Sequence, residues 1–183
     1  MTETSLAQAA ARHGAASGEA ADSVQAARHQ PAVPYELIEL FFFAYRDFVS
    51  DPDRLLAELD FGRAHHRVLH FVDRNPGLTI AELLDILKIT KQSLNRVLKE
   101  LVEKEFIDVK TGHQDRRQRH LHTTSKGRNL AEKLAHVQGE RIRAALAGTA
   151  TGARAVVESY LTALIDSGER SQVLSRIRTG PSA

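Results

Sequence analysis

The feature that most constrains this chain is a pair of helix starts set close together. Thr79 stands three positions before Glu82, the spacing of a capping box, in which each residue satisfies the other's backbone donor. Ile80, Leu83, Leu84 and Leu87 follow as a short apolar stripe. A tight connection near Lys88-Ile89 leads to Thr90, whose hydroxyl is placed to cap a second helix. Beyond it, Leu94, Val97, Leu98, Leu101 and Val102 recur at helical spacing and form one apolar face. Two short helices joined so tightly must cross at a steep angle, which is the helix-turn-helix arrangement. In that arrangement the second helix lies in a major groove.

The other face of the second helix carries Lys91, Gln92, Ser93, Asn95, Arg96 and Lys99. Arginine and lysine suit guanine edges and phosphates, and amides suit adenine edges. Any soluble helix needs a solvated surface, so the face alone divides evenly between the two readings. The preceding helix tips the balance toward a reading face. Phe106, Ile107 and Val109 then read as a strand, Thr111-Gly112-His113-Gln114 as a turn, and His120-Leu121-His122-Thr123 as a returning strand. Asp115-Arg116-Arg117-Gln118-Arg119 lies at the hairpin tip. Arginines there suit phosphates or a minor groove. The bland reading, a basic loop kept soluble by its charge, fits poorly directly after a helix-turn-helix.

This stretch resembles the winged-helix regulators of the multiple-antibiotic-resistance regulator (MarR) family. Their wing signature is Asp-x-Arg, a strand, then Thr-x-Lys-Gly. Here it runs Asp115-Arg116-Arg117, Gln118 to Thr123, then Thr124-Ser125-Lys126-Gly127. The resemblance covers roughly residues 33–165 in order of elements and is strongest over 78–130. It implies that Arg117 enters the minor groove and that Asp115 orients it. One departure is Thr123, where the family usually has an apolar residue, and a looser inner packing of the wing is expected from it.

Composition supports this placement. The net charge is only +2, but it is unevenly distributed. Residues 1–60 hold 4 basic and 10 acidic side chains, residues 61–127 hold 13 and 8, and residues 128–183 hold 8 and 5. The excess of positive charge therefore begins with the segment that would face a phosphate backbone. The chain has no cysteine, which excludes disulfides, thiolate metal sites and cysteine nucleophiles. It also excludes the thiol-oxidation switch of some relatives in the resembled family. No apolar run approaches the ~18 residues of a membrane span. No basic segment leads into an apolar core at the N-terminus, so the cytoplasm is the expected location.

Residues 1–32 are rich in alanine and poor in large apolar side chains, so they are expected to remain a disordered tail. Residues 33–60 begin with Pro34 and the run YELIELFFFAYRDFV, which holds six of the ten aromatic residues. Three consecutive phenylalanines cannot share one helix face. This helix is either a central core helix or one that meets another subunit, and the resemblance implies dimerisation. Asp51-Pro52-Asp53 is expected to end it, with a new helix over 54–61. A further helix over 63–73 turns Val68, Leu69 and Val72 inward and stops at Asn75-Pro76-Gly77. Residues 61–127 form the winged helix-turn-helix. Residues 128–167 supply two helices, the first capped at Thr124 and carrying Leu130, Leu134, Val137, Ile142 and Leu146, the second starting near Ala153. Residues 168–183 are expected to be loosely held. The fold class is mainly α: a winged helix-turn-helix with a small β-wing, flanked by N- and C-terminal dimerisation helices.

Other chemistry is weakly represented. His66 and His70 share a helix face, with His65, His120 and His122 as further candidates among nine histidines. A metal needs more ligands and a shaped site, and no His-Glu-x-x-His pattern is present. Solvated or capping roles, or pH-sensitive phosphate contacts, are the competing readings. No nucleophile elbow, phosphate loop or dinucleotide fingerprint occurs. Neither an enzyme nor a cofactor is expected. By resemblance, a small effector would sit where the dimer helices meet the winged helix, with Tyr45, Arg46, Phe48, His65 and His66 as wall residues and an arginine or histidine for an anionic, aromatic ligand. The expected function is sequence-specific binding of double-stranded DNA by a homodimer. The resemblance implies repression, with activation open. The alternative is a winged-helix module that docks a protein partner.

Overall fold

The computed structural model describes residues 32–111 and 118–179. The expected disordered tail lies outside these residues except for Ala32, as does the hairpin tip with Asp115, Arg116 and Arg117. The described elements are α1 (Tyr35–Ala57), α2 (Arg63–Arg74), β1 (Leu78–Thr79), α3 (Ile80–Leu87), α4 (Lys91–Glu103), β2 (Ile107–Thr111), β3 (Arg119–Thr123), α5 (Ser125–Ala147), α6 (Ala153–Leu164) and α7 (Arg170–Thr179). By packing, the chain divides into two units at Phe42 and Phe43. The described part of the first unit is the start of α1, where Tyr35, Leu37, Ile38, Leu40, Phe41 and Phe42 are all exposed.

The second unit holds one hydrophobic core. Its centre is α2, whose Val68, Leu69 and Val72 are fully buried. Leu83 and Leu87 of α3, Leu94, Val97, Leu98 and Leu101 of α4, and Leu130, Ala131 and Leu134 of α5 join them. The caps follow the sequence pattern. Thr79 Oγ1 accepts from the Glu82 backbone N–H at 3.2 Å, and the Thr79 N–H donates to Glu82 Oε2 at 2.8 Å. Thr90 Oγ1 accepts from the Ser93 N–H at 3.2 Å. Between the two helices, Lys88 takes the left-handed conformation at φ 51° and donates its N–H to the Leu84 carbonyl. That residue closes α3 and lets α4 begin almost at once.

Two expectations are corrected. Pro52 does not end α1, which runs on to Ala57. Proline removes the N–H that would bond the carbonyl four residues back, here that of Phe48. Gln138 Nε2 of α5 donates to this carbonyl instead, at 3.5 Å. Arg141 of α5 also holds the Asp51 carboxylate at 2.8 Å. The compensating donor, Gln138, lies 90 positions away in the chain, beyond any local reading. The polar segment after Gly168, expected to be loosely held, forms α7 over Arg170–Thr179.

The sheet has three antiparallel strands in the order β1-β3-β2, rather than the two read from the sequence. Leu78 pairs with Leu121, and Thr111 pairs with Arg119 at the open end of the hairpin. β1 spans only two residues, too few for an alternating pattern to register. The turn from α4 into β2 is a Schellman motif. The Phe106 N–H bonds the Leu101 carbonyl and the Glu105 N–H bonds the Val102 carbonyl, with Glu105 at φ 62°. The Phe106 carbonyl then accepts from the Thr124 N–H at 3.1 Å, so α5 starts pressed against this turn. A Cβ on Gly127 would lie 2.0 Å from the Phe106 carbonyl oxygen. This contact explains the glycine of the Thr-x-Lys-Gly motif. Gly127→Ala should lower unfolding stability by about 1–3 kcal/mol through overpacking against backbone. An unchanged urea midpoint would show that α5 can shift away at no cost.

Candidate nucleic-acid interface

Helix α4 presents the six polar side chains outward. Lys91, Gln92, Ser93, Asn95, Arg96 and Lys99 are exposed, while Leu94, Val97, Leu98 and Leu101 are buried beneath them. Val102, read as part of the inner face, is 38% exposed. Ser93 Oγ accepts from Thr90 Oγ1 at 2.9 Å, so its hydroxyl also serves the cap. Lys99 reaches Glu103 at 3.6 Å one turn on. At the wing, exposed Arg119 donates to Thr111 Oγ1 at 3.2 Å across the strand pair. An open groove of about 480 Å³ brings Lys91 and Arg119 together with Thr79, Ala81 and Gln118. The start of α4 and the base of the wing thus share one surface, a juxtaposition that spacing alone does not reveal.

The orientation of that surface depends on polar tethers to α2, which the sequence reading missed. His65 stacks on Phe61 with ring centroids 4.5 Å apart. Its Nδ1 accepts from the Gly62 N–H at 3.1 Å, which leaves Nε2 to donate to Glu100 Oε2 of α4 at 2.9 Å. Arg67 donates to the Leu87 carbonyl at 3.0 Å, at the C-terminal end of α3, where a cation also suits the helix dipole. Thr123 Oγ1 donates to Asp73 Oδ1 at 2.9 Å. The looser wing expected from Thr123 is therefore corrected: a hydrogen bond to α2 stands where an apolar contact was expected. His120 Nδ1 lies 2.8 Å from the Gly77 carbonyl. The partners of His65 on α4, of Arg67, of Thr123 and of His120 were not legible because each of these pairs is at least 20 positions apart in sequence.

The expected effector residues separate into two groups. Tyr45, Phe48 and His66 line one cavity of about 330 Å³, together with Arg63, His70 and Gln138. Arg46 does not line it: its Nε donates to Asp47 at 2.8 Å and its guanidinium lies over the Phe43 ring. His65 is committed to the tether just described. Burial is the main cause that lowers the pKa of both His66 and His70, with a further push on His66 from His70 and on His70 from Arg74. Among the described residues, no group of three or more His, Asp or Glu side chains is placed to hold a metal. Among the same residues, no helix is long and apolar enough to cross a membrane.

A model described as MarR family matches residues 59–118. The HTH-type transcriptional regulator PetP of Rhodobacter capsulatus is 47% identical over 133 residues, which is 73% of this chain and 80% of that protein. This chain belongs to the MarR family. Solved structures agree on the fold. FabT of Streptococcus pneumoniae, solved in complex with DNA, has a TM-score of 0.63 at 21% identity over 78% of this chain and 99% of that one. A MarR protein from Peptoclostridium difficile has a TM-score of 0.61 at 19% identity over 81% and 93% of the two chains. As a MarR-family member the chain is a transcriptional regulator, which is not an enzyme class.

The lowered pKa of His66 and His70 predicts that stability depends on pH in this MarR-family protein. A histidine whose folded pKa is lowered binds its proton more readily when unfolded. Stability is therefore full above the ordinary histidine pKa and falls as pH drops through it toward the folded value. Chemical unfolding between pH 7.5 and 5.5 (roughly one unit either side of the ordinary value of about 6.5) should show this loss. Glutamine at both His66 and His70 should flatten the profile. An equally steep profile in the double variant would assign the dependence elsewhere.

Proposed function

We propose that this chain is a sequence-specific double-stranded DNA-binding repressor that acts as a homodimer on a pseudo-palindromic operator. The observation that carries the proposal is the outward polar row of α4, seated on four buried apolar residues and joined to the wing by the Lys91–Arg119 groove. Gln92, Asn95 and Arg96 would read base edges in the major groove, with Lys91, Ser93 and Lys99 on flanking phosphates. Arg117 would enter the minor groove, oriented by Asp115, with Arg116 and Arg119 on the backbone. A DNA complex of the FabT relative supports the same use of the fold.

Dimerisation accounts for apolar surface that the single chain leaves open. Phe41, Phe42 and Phe43 are 52%, 65% and 48% exposed. On α6, Val156, Tyr160, Leu161 and Leu164 are also exposed, and α6 has no buried residue. Such surface marks an interaction site. A two-fold dimer would set two α4 helices roughly 34 Å apart, one turn of DNA. A small effector in the cavity beside Tyr45, Phe48 and His66 would change that spacing and release the DNA. An anionic, aromatic molecule would meet Arg63, which also pairs with Asp53 at 2.8 Å, and two histidines that serve as neutral hydrogen-bonding groups. The site of action would be the cytoplasm.

Selection of bound DNA from a random pool, with solution mass measured alongside, tests the proposal. A two-fold symmetric site enriched by a dimer is the expected outcome. A folded dimer that enriches nothing would favour docking to a protein instead. Arg117→Ala should weaken binding to all sequences, whereas Asn95→Ala and Arg96→Ala should also change which bases are preferred. With about 8 phosphate contacts, log affinity should fall against log salt with a slope of about −7. A nearly flat salt dependence would count against phosphate contacts as the main source of affinity.

A further inference from the structure

The end of the chain leaves the core and then returns to it. The buried residues of α5 stop at Leu134, and α6 has no buried residue. The chain bends between these helices at residues 148–152, where Gly152 takes the left-handed conformation at φ 86°. That bend joins the start of α6 to α5. The far end of α6 is held by α7. Arg170 donates to the Ala163 and Ile165 carbonyls at 3.0 and 3.1 Å, and so serves acceptors that a helix end leaves open.

Helix α7 in turn bonds α3 and the residue that follows it. Asp85 of α3 is the centre of these contacts. Gln172 Nε2 and an Arg176 guanidinium nitrogen each donate to Asp85 Oδ2 at 3.2 Å. Lys88 Nζ donates to Asp85 Oδ1 at 3.0 Å and lies 2.9 Å from Glu169 Oε1. Lys88 is the left-handed residue between α3 and α4, so Glu169 engages the turn of the helix-turn-helix itself. Hydrogen bonding and charge from Lys88, and then from Arg176, hold the Asp85 carboxyl below its usual range. A single exposed ion pair contributes little, but charges joined in a network hold a geometry better. Val173 and Ile177 of α7 border an open cleft of about 400 Å³ rather than a packed seam. The attachment therefore depends largely on the polar network.

We propose that Asp85 is a positioning residue: through α7 it fixes α6 against the helix-turn-helix, and so sets how far apart a dimer holds its two α4 helices. The inference rests on the DNA-binding homodimer proposed above, in which the exposed apolar face of α6 meets the second copy. With α7 attached, α6 is held at both ends, and the angle between that face and α4 is defined. With α7 released, α6 pivots on the bend at 148–152, and the separation of the two α4 helices spreads. Asp85 and Glu169 lie outside the outward row of α4, so the bases read by each helix stay the same. Asp85 thus acts on the spacing of the half-sites and not on their sequence.

Asp85→Asn and Glu169→Gln, each in the full chain, test the inference. The two side chains are 44% and 48% exposed, so neither change reaches the core, and thermal melts check that the fold is retained. One position lies within the helix-turn-helix and the other outside it, so a shared effect belongs to the contact with α7. Without DNA, the amides of Val173 to Ile177 should exchange hydrogen about tenfold faster in both variants. With DNA, the symmetric site selected from a random pool is compared with one whose half-sites are moved apart by about two base pairs, roughly 7 Å along the axis. The wider site should cost the unsubstituted protein about thirtyfold in affinity and each variant only about threefold. Faster exchange in α7 with an unchanged spacing penalty would overturn the inference, as would unchanged exchange in both variants. An unsubstituted dimer that selects no symmetric site would overturn the DNA reading itself, and the inference with it, whatever the exchange shows.

Discussion

The placement of the α4 face depends on the burial of one side of α2. Val68, Leu69 and Val72 have essentially no exposed surface, and α3, α4, α5 and the wing's returning strand all pack around that helix. Full burial of each such side chain stabilises by roughly 1.5–3 kcal/mol, and close packing leaves few alternative arrangements. A rigid α2 is therefore a common reference for the elements of the helix-turn-helix and for β3. Surface residues of α4 can vary in type without disturbing this frame, since they take no part in it.

Apolar packing alone would leave rotations and small slides of each element open. Directional contacts from α2 limit them. His65 reaches α4, Arg67 reaches the end of α3, and Asp73 reaches the last residue of β3. The backbone contact between Gly127 and Phe106 plays the same part for α5. It ties the helix that leaves the wing to the turn that enters it. Geometry at the α4 surface is thus set by groups that do not themselves face it, as is usual where recognition residues ride on a rigid scaffold.

Much of this architecture was legible in local patterns. Capping chemistry at Thr79, Thr90 and Thr124 is an interaction between residues three apart, and it appears in the structure as the pattern suggests. The apolar stripes of α2 and α4 likewise predict their buried faces, apart from Val102. The candidate reading residues on α4 were legible for the same reason: exposure on a helix follows from periodicity. The wing strands were legible, but the third strand was not, because two residues carry no period. Neither could the wing tether be read, since Thr123 looks like a defect until Asp73 is brought beside it.

What the sequence by itself determined is therefore the identity of the local elements and the side each presents: the caps, the helix faces, the turn at Lys88 and the hairpin. These depend on residues within about one helical turn of each other, where chain geometry leaves little freedom. Tertiary structure alone decided the continuity of α1 through Pro52, the pairing of β1, the division of the expected effector residues, and the position of α7. In each case the deciding partner lies far along the chain. Gln138 answers a carbonyl that Pro52 strands, Leu121 pairs with Leu78, Glu100 takes His65, and Asp85 receives Gln172 and Arg176. A local rule records the cost of a missing donor or an unpaired charge, but only the folded chain reveals which distant group offsets it.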